Sequence, residues 1–247
     1  MSAMNTDTVV RIHEFLTEYY LNSPDPISPP GVKDIGLLDS AVIRKDMTGG
    51  GADLFQGVFM KAAALFHGII SNHSFFNGNK RTALLSALAY LGDNSYWVTK
   101  CTDEEMFEFT REVAAHEISD NRDNEIKIIA EWFKRHSRRR EVKDQRMKLH
   151  ELQERLSEFG FHVEDRCKNN LLDIFKGDKH VTSIRQKGVK GSEEYDVKYI
   201  KILRKKLKLT PDYGIDSFAF YGVKGSIGTL NKYMSIRHEV MRELAKI

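Results

Sequence analysis

The first half of the chain alternates apolar stretches of helical period with short polar breaks. Phe55 to Ser71 carries its apolar residues at helical spacing and predicts an amphipathic helix, and Thr82 to Leu91 predicts an apolar helix. The second half is mixed. Lys143 to Phe159 has helical spacing through Met147, Leu149, Leu152 and Leu156, and Gly160 is a plausible stop behind it. Phe161 to Val163 and His180 to Ile184 predict short strands, with turns at Gly177-Asp178 and Gly188 to Gly191. Tyr195 to Leu209 reads as a helix with apolar Val197, Ile200, Leu203 and Leu207 opposite a Lys/Arg-rich face. Ser217 to Tyr221 predicts a strand and Thr229 to Ile247 a last helix. The expected fold is mainly α, a helical domain at residues 1–137 followed by a smaller α+β domain at 138–247.

Between the first two helices lies His73-Ser74-Phe75-Phe76-Asn77-Gly78-Asn79-Lys80-Arg81. His73, with an ordinary pKa near ~6.5, can accept a hydroxyl proton at neutral pH. Gly78 lets the backbone approach an anion closely. Gly78, Asn79 and Lys80 offer successive N–H groups where a helix begins, at the positive end of its dipole. Lys80 adds point charge and Arg81 a bidentate fork. Asn77 is an amide oxygen that can serve a hard cation, and Phe75 reads as a buried anchor for the loop. A base facing a phosphate-sized nest suits the transfer of a phosphate-bearing group.

These residues resemble the signature of the Fic/Doc family, His-x-Phe-x-(Asp/Glu/Asn)-(Gly/Ala)-Asn-(Gly/Lys)-Arg, at every constrained position. The resemblance covers roughly residues 8 to 137 and implies an all-helical fold with the motif between two helices. Ile35 to Ala41 is similar to the family's lead into a target-docking flap, which would span about Val42 to Asp53 and include Thr48, Gly49, Gly50 and Gly51. Ile128 to Ser137 is similar to its closing helix. The resemblance further implies His73 as general base, with Gly78, Asn79, Lys80 and Arg81 holding the phosphates of ATP or another nucleoside triphosphate. Asn77 would contact Mg²⁺, where many members have Asp or Glu.

Members that transfer AMP usually carry Gly at the position of Lys80 and a second Arg at that of Leu84. The Lys-Arg pair without the second Arg is similar to the Doc branch. Its members are toxins that phosphorylate a Ser or Thr hydroxyl of a protein, elongation factor Tu being the known type of target. The resemblance therefore implies phosphoryl transfer, a protein substrate and a separate antitoxin. AMP transfer is the alternative, and a catalytically inactive binding module is the other. The Ser/Thr-x-x-x-Glu-Gly/Asn inhibitory pattern of many members is not in the chain.

Charge divides the molecule. A net charge of +3 over 247 residues conceals about −6 for residues 1–136 and +9 for 137–247. The change falls at Lys134 to Arg140, where the closing helix is expected to run nearly straight into the next. The basic half is either a solvated face on an accessory domain or a surface for nucleic acid or an acidic antitoxin. Only Tyr195 and Tyr199 interleave with its cations, which is thin for a single-strand binder. His13, His67 and His116 are weaker candidates than His73. No His-x-x-x-His or Cys-x-x-Cys spacing offers a zinc site, and His67 and His116 read as packed or surface residues. Cys101 and Cys167 read as reduced thiols. No signal pattern opens the chain and no apolar run approaches the ~18–20 residues needed to span a bilayer, so a cytoplasmic location without membrane attachment is expected.

Overall fold

The computed structural model describes residues 4–165 and 170–221. Cys167 and the helix expected over 229–247 lie outside them. The described residues form two compact units that part after Arg140.

In the first unit, α1 (Thr6–Tyr19), α2 (Ile35–Ile43), α3 (Val58–Asn72), α4 (Asn79–Asp93), α5 (Asp103–Ala115) and α6 (Glu125–His136) pack around α3 and α4. α3 differs from the amphipathic expectation, while α4 keeps the apolar helical pattern read from its sequence. Every residue from Ala62 to Ile70 on α3 is buried, and so is every residue from Thr82 to Ala89 on α4. Small residues permit this. The backbone of α2 comes so close that a Cβ on Gly68 would lie 3.1 Å from Ala41 Cα. α3 begins three residues later than the periodicity suggested, because Gly57 with φ 83 turns the chain into it. α5 opens with a reciprocal capping box between Thr102 and Glu105. Such a box fixes the start of a helix whose exposed face is acidic.

A two-stranded hairpin, β1 (Thr48–Gly49) and β2 (Ala52–Asp53), follows α2, with Gly50 and Gly51 in its turn. The φ values of these two glycines are 60 and 85, which a turn of this hand requires. Lys61 of α3 holds the base of the hairpin through Asp53 at 2.9 Å and Asp46 at 3.5 Å.

The basic junction is not a continuous helix. α6 stops at His136 and the chain turns into β4 (Ser137–Arg139), which pairs antiparallel with β3 (Tyr96–Val98). The His136 carbonyl accepts from both Thr99 and Lys100 N–H at 3.0 Å, and Arg138 lies over the Trp97 ring at 5.4 Å. A cluster read as a charged joint is therefore partly a strand with its own packing partner.

In the second unit, α7 (Leu149–Glu158) and α8 (Val197–Lys206) accompany a three-stranded antiparallel sheet in the order β5 (Phe161–Asp165), β6 (Leu171–Lys176), β7 (Lys179–Arg185). β6, a central strand, carries the buried run Leu172, Asp173 and Ile174 and was not expected from the sequence. α7 is shorter than the predicted 143–159, since residues 141–146 are neither helix nor strand. Ser217–Tyr221 is a short helix, α9, not a strand. Asp216 decides this by accepting from Ala219 N–H at 3.1 Å and from Glu141 N–H at 2.9 Å, a helix-starting side-chain bond a strand would not use. Buried Arg204 fixes the same corner through Asp144, the Leu209 and Ile215 carbonyls at 2.9 Å, and Phe220 at 4.5 Å. The exposed side of α8 carries Lys198, Lys201, Lys205 and Lys206. No helix of the described residues is long and apolar enough to cross a membrane.

Candidate active site

His73 ends α3 in the left-handed region, at φ 46 and ψ 47. That conformation is uncommon for a side-chain-bearing residue, though His, Asn and Asp adopt it most readily. It stops an apolar helix and leaves the residue exposed at its end. The chain then pairs briefly with segment 31–34. Val32 bridges Phe75, the Ser74 carbonyl accepts from Lys33 and Asp34 at 2.8 and 3.1 Å, and Phe76 N–H donates to the Gly31 carbonyl at 3.1 Å.

Phe75 is the anchor the sequence suggested, with 1% of its surface exposed. What it rests on was not foreseen. His13 of α1, itself buried, stacks on its ring at 4.1 Å. Gly31 N–H donates to His13 Nε2 at 3.1 Å, so the ring proton resides on Nδ1 and faces Thr82 Oγ1 at 3.0 Å. Burial pushes the His13 pKa down to about 4, which keeps the ring neutral in this role. His13 thus links α1, segment 31–34, the motif loop and α4.

Asn79 closes the loop from the other side. Its side chain accepts from Phe75 N–H at 2.9 Å and donates to the Phe75 carbonyl at 2.8 Å. The Asn79 side chain is therefore spent on loop shape, and what it offers a ligand is its backbone N–H. Gly78 precedes α4 with φ 76, and a Cβ there would lie 2.9 Å from Ile27 Cδ1. Both hand and space require glycine. The first helical acceptor of α4 is the Gly78 carbonyl, which takes Thr82 N–H at 2.9 Å, and no side chain caps the helix. The N–H groups of Asn79, Lys80 and Arg81 precede that first helical bond, with the Lys80 side chain exposed beside them.

Two motif residues already have partners. Asn77 Oδ1 accepts from Gly78 N–H at 2.6 Å, and Asn77 Nδ2 donates to the Ser28 carbonyl at 2.8 Å. Arg81 donates to the Asp25 carbonyl at 2.9 Å, pairs with the Asp25 carboxylate, and lies over the Tyr20 ring at 4.4 Å. Asp25 and Tyr20 were not read from the sequence, because they stand more than fifty residues upstream in an unpatterned loop. The Asp25 side chain is 83% exposed, so this pair is worth at most about 1 kcal/mol and yields readily to a competing anion. Leu84 is 2% exposed within the core, so no group at that position reaches a ligand.

Thr48, Gly49, Gly50 and Gly51 stand together on the exposed hairpin. His67 and His116 converge with Glu125 elsewhere in the helical unit.

The arrangement defines a class. Residues 3–91 match the model of the Fic/DOC family. A 63-residue stretch is 44% identical to Toxin Doc of Mycolicibacterium smegmatis, covering 26% of this chain and 48% of that toxin. The chain thus spans about half the length of the curated relative it matches.

The family generally uses nucleoside triphosphates with a divalent metal. The uncapped turn fits phosphate oxygens. The metal side is sparser: Asn77 retains one lone pair on an oxygen already accepting a bond and contributes no charge. A Mg²⁺ bound chiefly by the nucleotide would fit such a sparse donor set, to which Asn77 could add one neutral oxygen.

Proposed function

We propose that the protein is a Doc-like toxin that transfers a phosphoryl group from a nucleoside triphosphate to a Ser or Thr hydroxyl of a protein. Elongation factor Tu is the target type this reading favours. The observation that carries it is the pairing of an exposed Lys80 at the start of α4 with a core-buried Leu84 one turn later. A cation fills the space a glycine would leave for an α-phosphate, and no second arginine can clamp an AMP moiety.

In this mechanism His73 Nδ1 or Nε2 takes the proton of the target hydroxyl as its oxygen attacks the γ-phosphorus, and the bond from that phosphorus to the bridging oxygen breaks to release the nucleoside diphosphate. The N–H groups at the α4 start, Lys80 and Arg81 hold the transferred group and offset the charge that spreads over its oxygens. Mg²⁺, when bound with the nucleotide, would neutralise phosphate charge next to Asn77. The hairpin of β1 and β2, braced by Lys61, presents the target segment. A separate antitoxin would restrain the enzyme. The lysine face of α8 offers acidic segments or nucleic acid a place to bind.

Incubating elongation factor Tu with the protein and ATP and measuring the intact mass of the factor tests this reading. A gain of one phosphate supports it; a gain of AMP selects adenylyl transfer instead, and an unmodified factor removes this target.

Two further outcomes are expected at the site. Asn77→Asp adds a charged hard ligand and should lower the Mg²⁺ concentration giving half-maximal transfer. An unchanged Mg²⁺ requirement would remove Asn77 from metal contact. Asp25→Ala frees Arg81 from its competing carboxylate and should tighten ATP binding about two- to fivefold, in keeping with a surface pair of ~0–1 kcal/mol. Calorimetric titration with ATP reads this directly, and equal affinities would mean Arg81 does not meet phosphate.

A further inference from the structure

Away from the motif, three side chains from three separate elements converge. His67 lies on α3, His116 is the residue that ends α5, and Glu125 opens α6. His67 Nε2 lies 2.7 Å from Glu125 Oε2, and His116 Nδ1 lies 3.0 Å from each carboxylate oxygen. One donor atom from each residue can be chosen so that all lie within 4.8 Å of one another. Glu125 has no exposed surface, His67 is nearly buried, and the His116 side chain is 27% exposed, which leaves an opening on that side.

We infer that His67, His116 and Glu125 form a binding site for a zinc-class divalent transition metal, clipping α3, the end of α5 and α6 together.

Two imidazoles and one carboxylate are a donor set that zinc accepts with a fourth position left for water, and the 27% exposed His116 edge gives that water access. Ligand atoms around a tetrahedral zinc at ~2.0–2.1 Å stand roughly 3.3 Å apart. The contacts at 2.7 and 3.0 Å need open by a few tenths of an ångström, and the widest ligand-atom spacing, up to 4.8 Å, must close toward the same value as the ion enters. Donor protonation is favourable as well. Burial lowers the His67 pKa more than the Glu125 hydrogen bond and charge raise it, with Arg44 and His116 also lowering it, so the ring is neutral and can ligate. Burial draws Glu125 upward, but the bonds from His67 and His116 overcome it and hold the carboxylate below its ordinary pKa. A buried carboxylate between neutral imidazoles has its charge offset once a dication takes the place of the two hydrogen bonds, the ring protons moving to the other imidazole nitrogens. The backbone agrees: His116 takes φ 59, a left-handed turn that brings the ring back to Glu125. Imidazole nitrogens disfavour Mg²⁺, so this site is chemically distinct from the nucleotide-borne metal.

The test uses the full chain, stripped with a chelator and titrated with Zn²⁺ and with Co²⁺ in the absence of nucleotide. Expected are one equivalent bound by calorimetry, the intense visible bands of low-coordinate Co²⁺, and a Zn²⁺-dependent rise in Tm. Glu125→Gln and His116→Asn should each weaken binding by ~100-fold or more, since even supporting residues of metal sites contribute ~10–100-fold. His116→Asn keeps a residue that tolerates the left-handed turn, so it carries the test if Glu125→Gln does not fold. Absence of the Co²⁺ bands, or binding that both variants leave unchanged, overturns the site. Neither readout depends on transferase activity.

Discussion

His73→Ala is expected to lower protein phosphorylation by ~10²–10⁴-fold, the usual contribution of a positioned general base and equivalent to about 3–5 kcal/mol of barrier. The loss should appear in kcat, because an exposed imidazole at the end of α3 holds no part of the core. ATP affinity should stay near that of the parent protein, and Tm should fall only slightly, since alanine in the left-handed turn at φ 46 costs roughly 1 kcal/mol. Exposure makes this variant informative: a substitution that also melts the protein would say nothing of chemistry. Retention of the parent rate with His73→Ala would remove His73 from the reaction, whatever else the turn binds.

Acidification is expected to destabilise the helical unit between about pH 6.5 and pH 4. The driver is His13, whose folded-state pKa is about 4 because of burial, against an ordinary ~6.5 when unfolded. Between those values the unfolded chain binds a proton that the folded chain refuses, so stability falls as pH falls through the window. The full effect is about 3 kcal/mol below pH ~4, and His13 contributes no pH dependence above ~6.5. It is large because protonation would put a charge under Phe75 and replace the lone pair that accepts Gly31 N–H. His67, with a lowered pKa of its own, adds in the same direction. His13→Gln should lower stability at neutral pH and flatten the slope, as read from urea midpoints at several pH values. An unaltered slope in the variant would show that His13 is not the titrating group.

The legible part of the molecule was local. The helices flanking the motif and the anchor role of Phe75 follow from periodicity and residue type over short stretches. What lay hidden was long-range. His13, Asp25 and the Ser28 carbonyl reach the motif across about fifty residues or more, and no spacing rule links them. His67, His116 and Glu125 escaped for the same reason, since metal spacing is sought within one element and these come from three. Leu172 to Ile174 form a central strand that a search for alternation passes over. Ser217 to Tyr221, rich in aromatics, has strand-like composition, yet Asp216 starts a helix there by bonding to Ala219 N–H. The basic run at 134–140 misled through charge alone, since pairing with Tyr96 to Val98 set its structure.

The central claim is transfer of the terminal phosphoryl group with His73 as base. Cell lysate incubated with the protein and ATP labelled at either the γ- or the α-phosphate measures it most directly. The account predicts label on protein from γ-labelled ATP, none from α-labelled ATP, and loss of the signal in His73→Ala. Protein label from α-labelled ATP, or γ-label undiminished in His73→Ala, would contradict it.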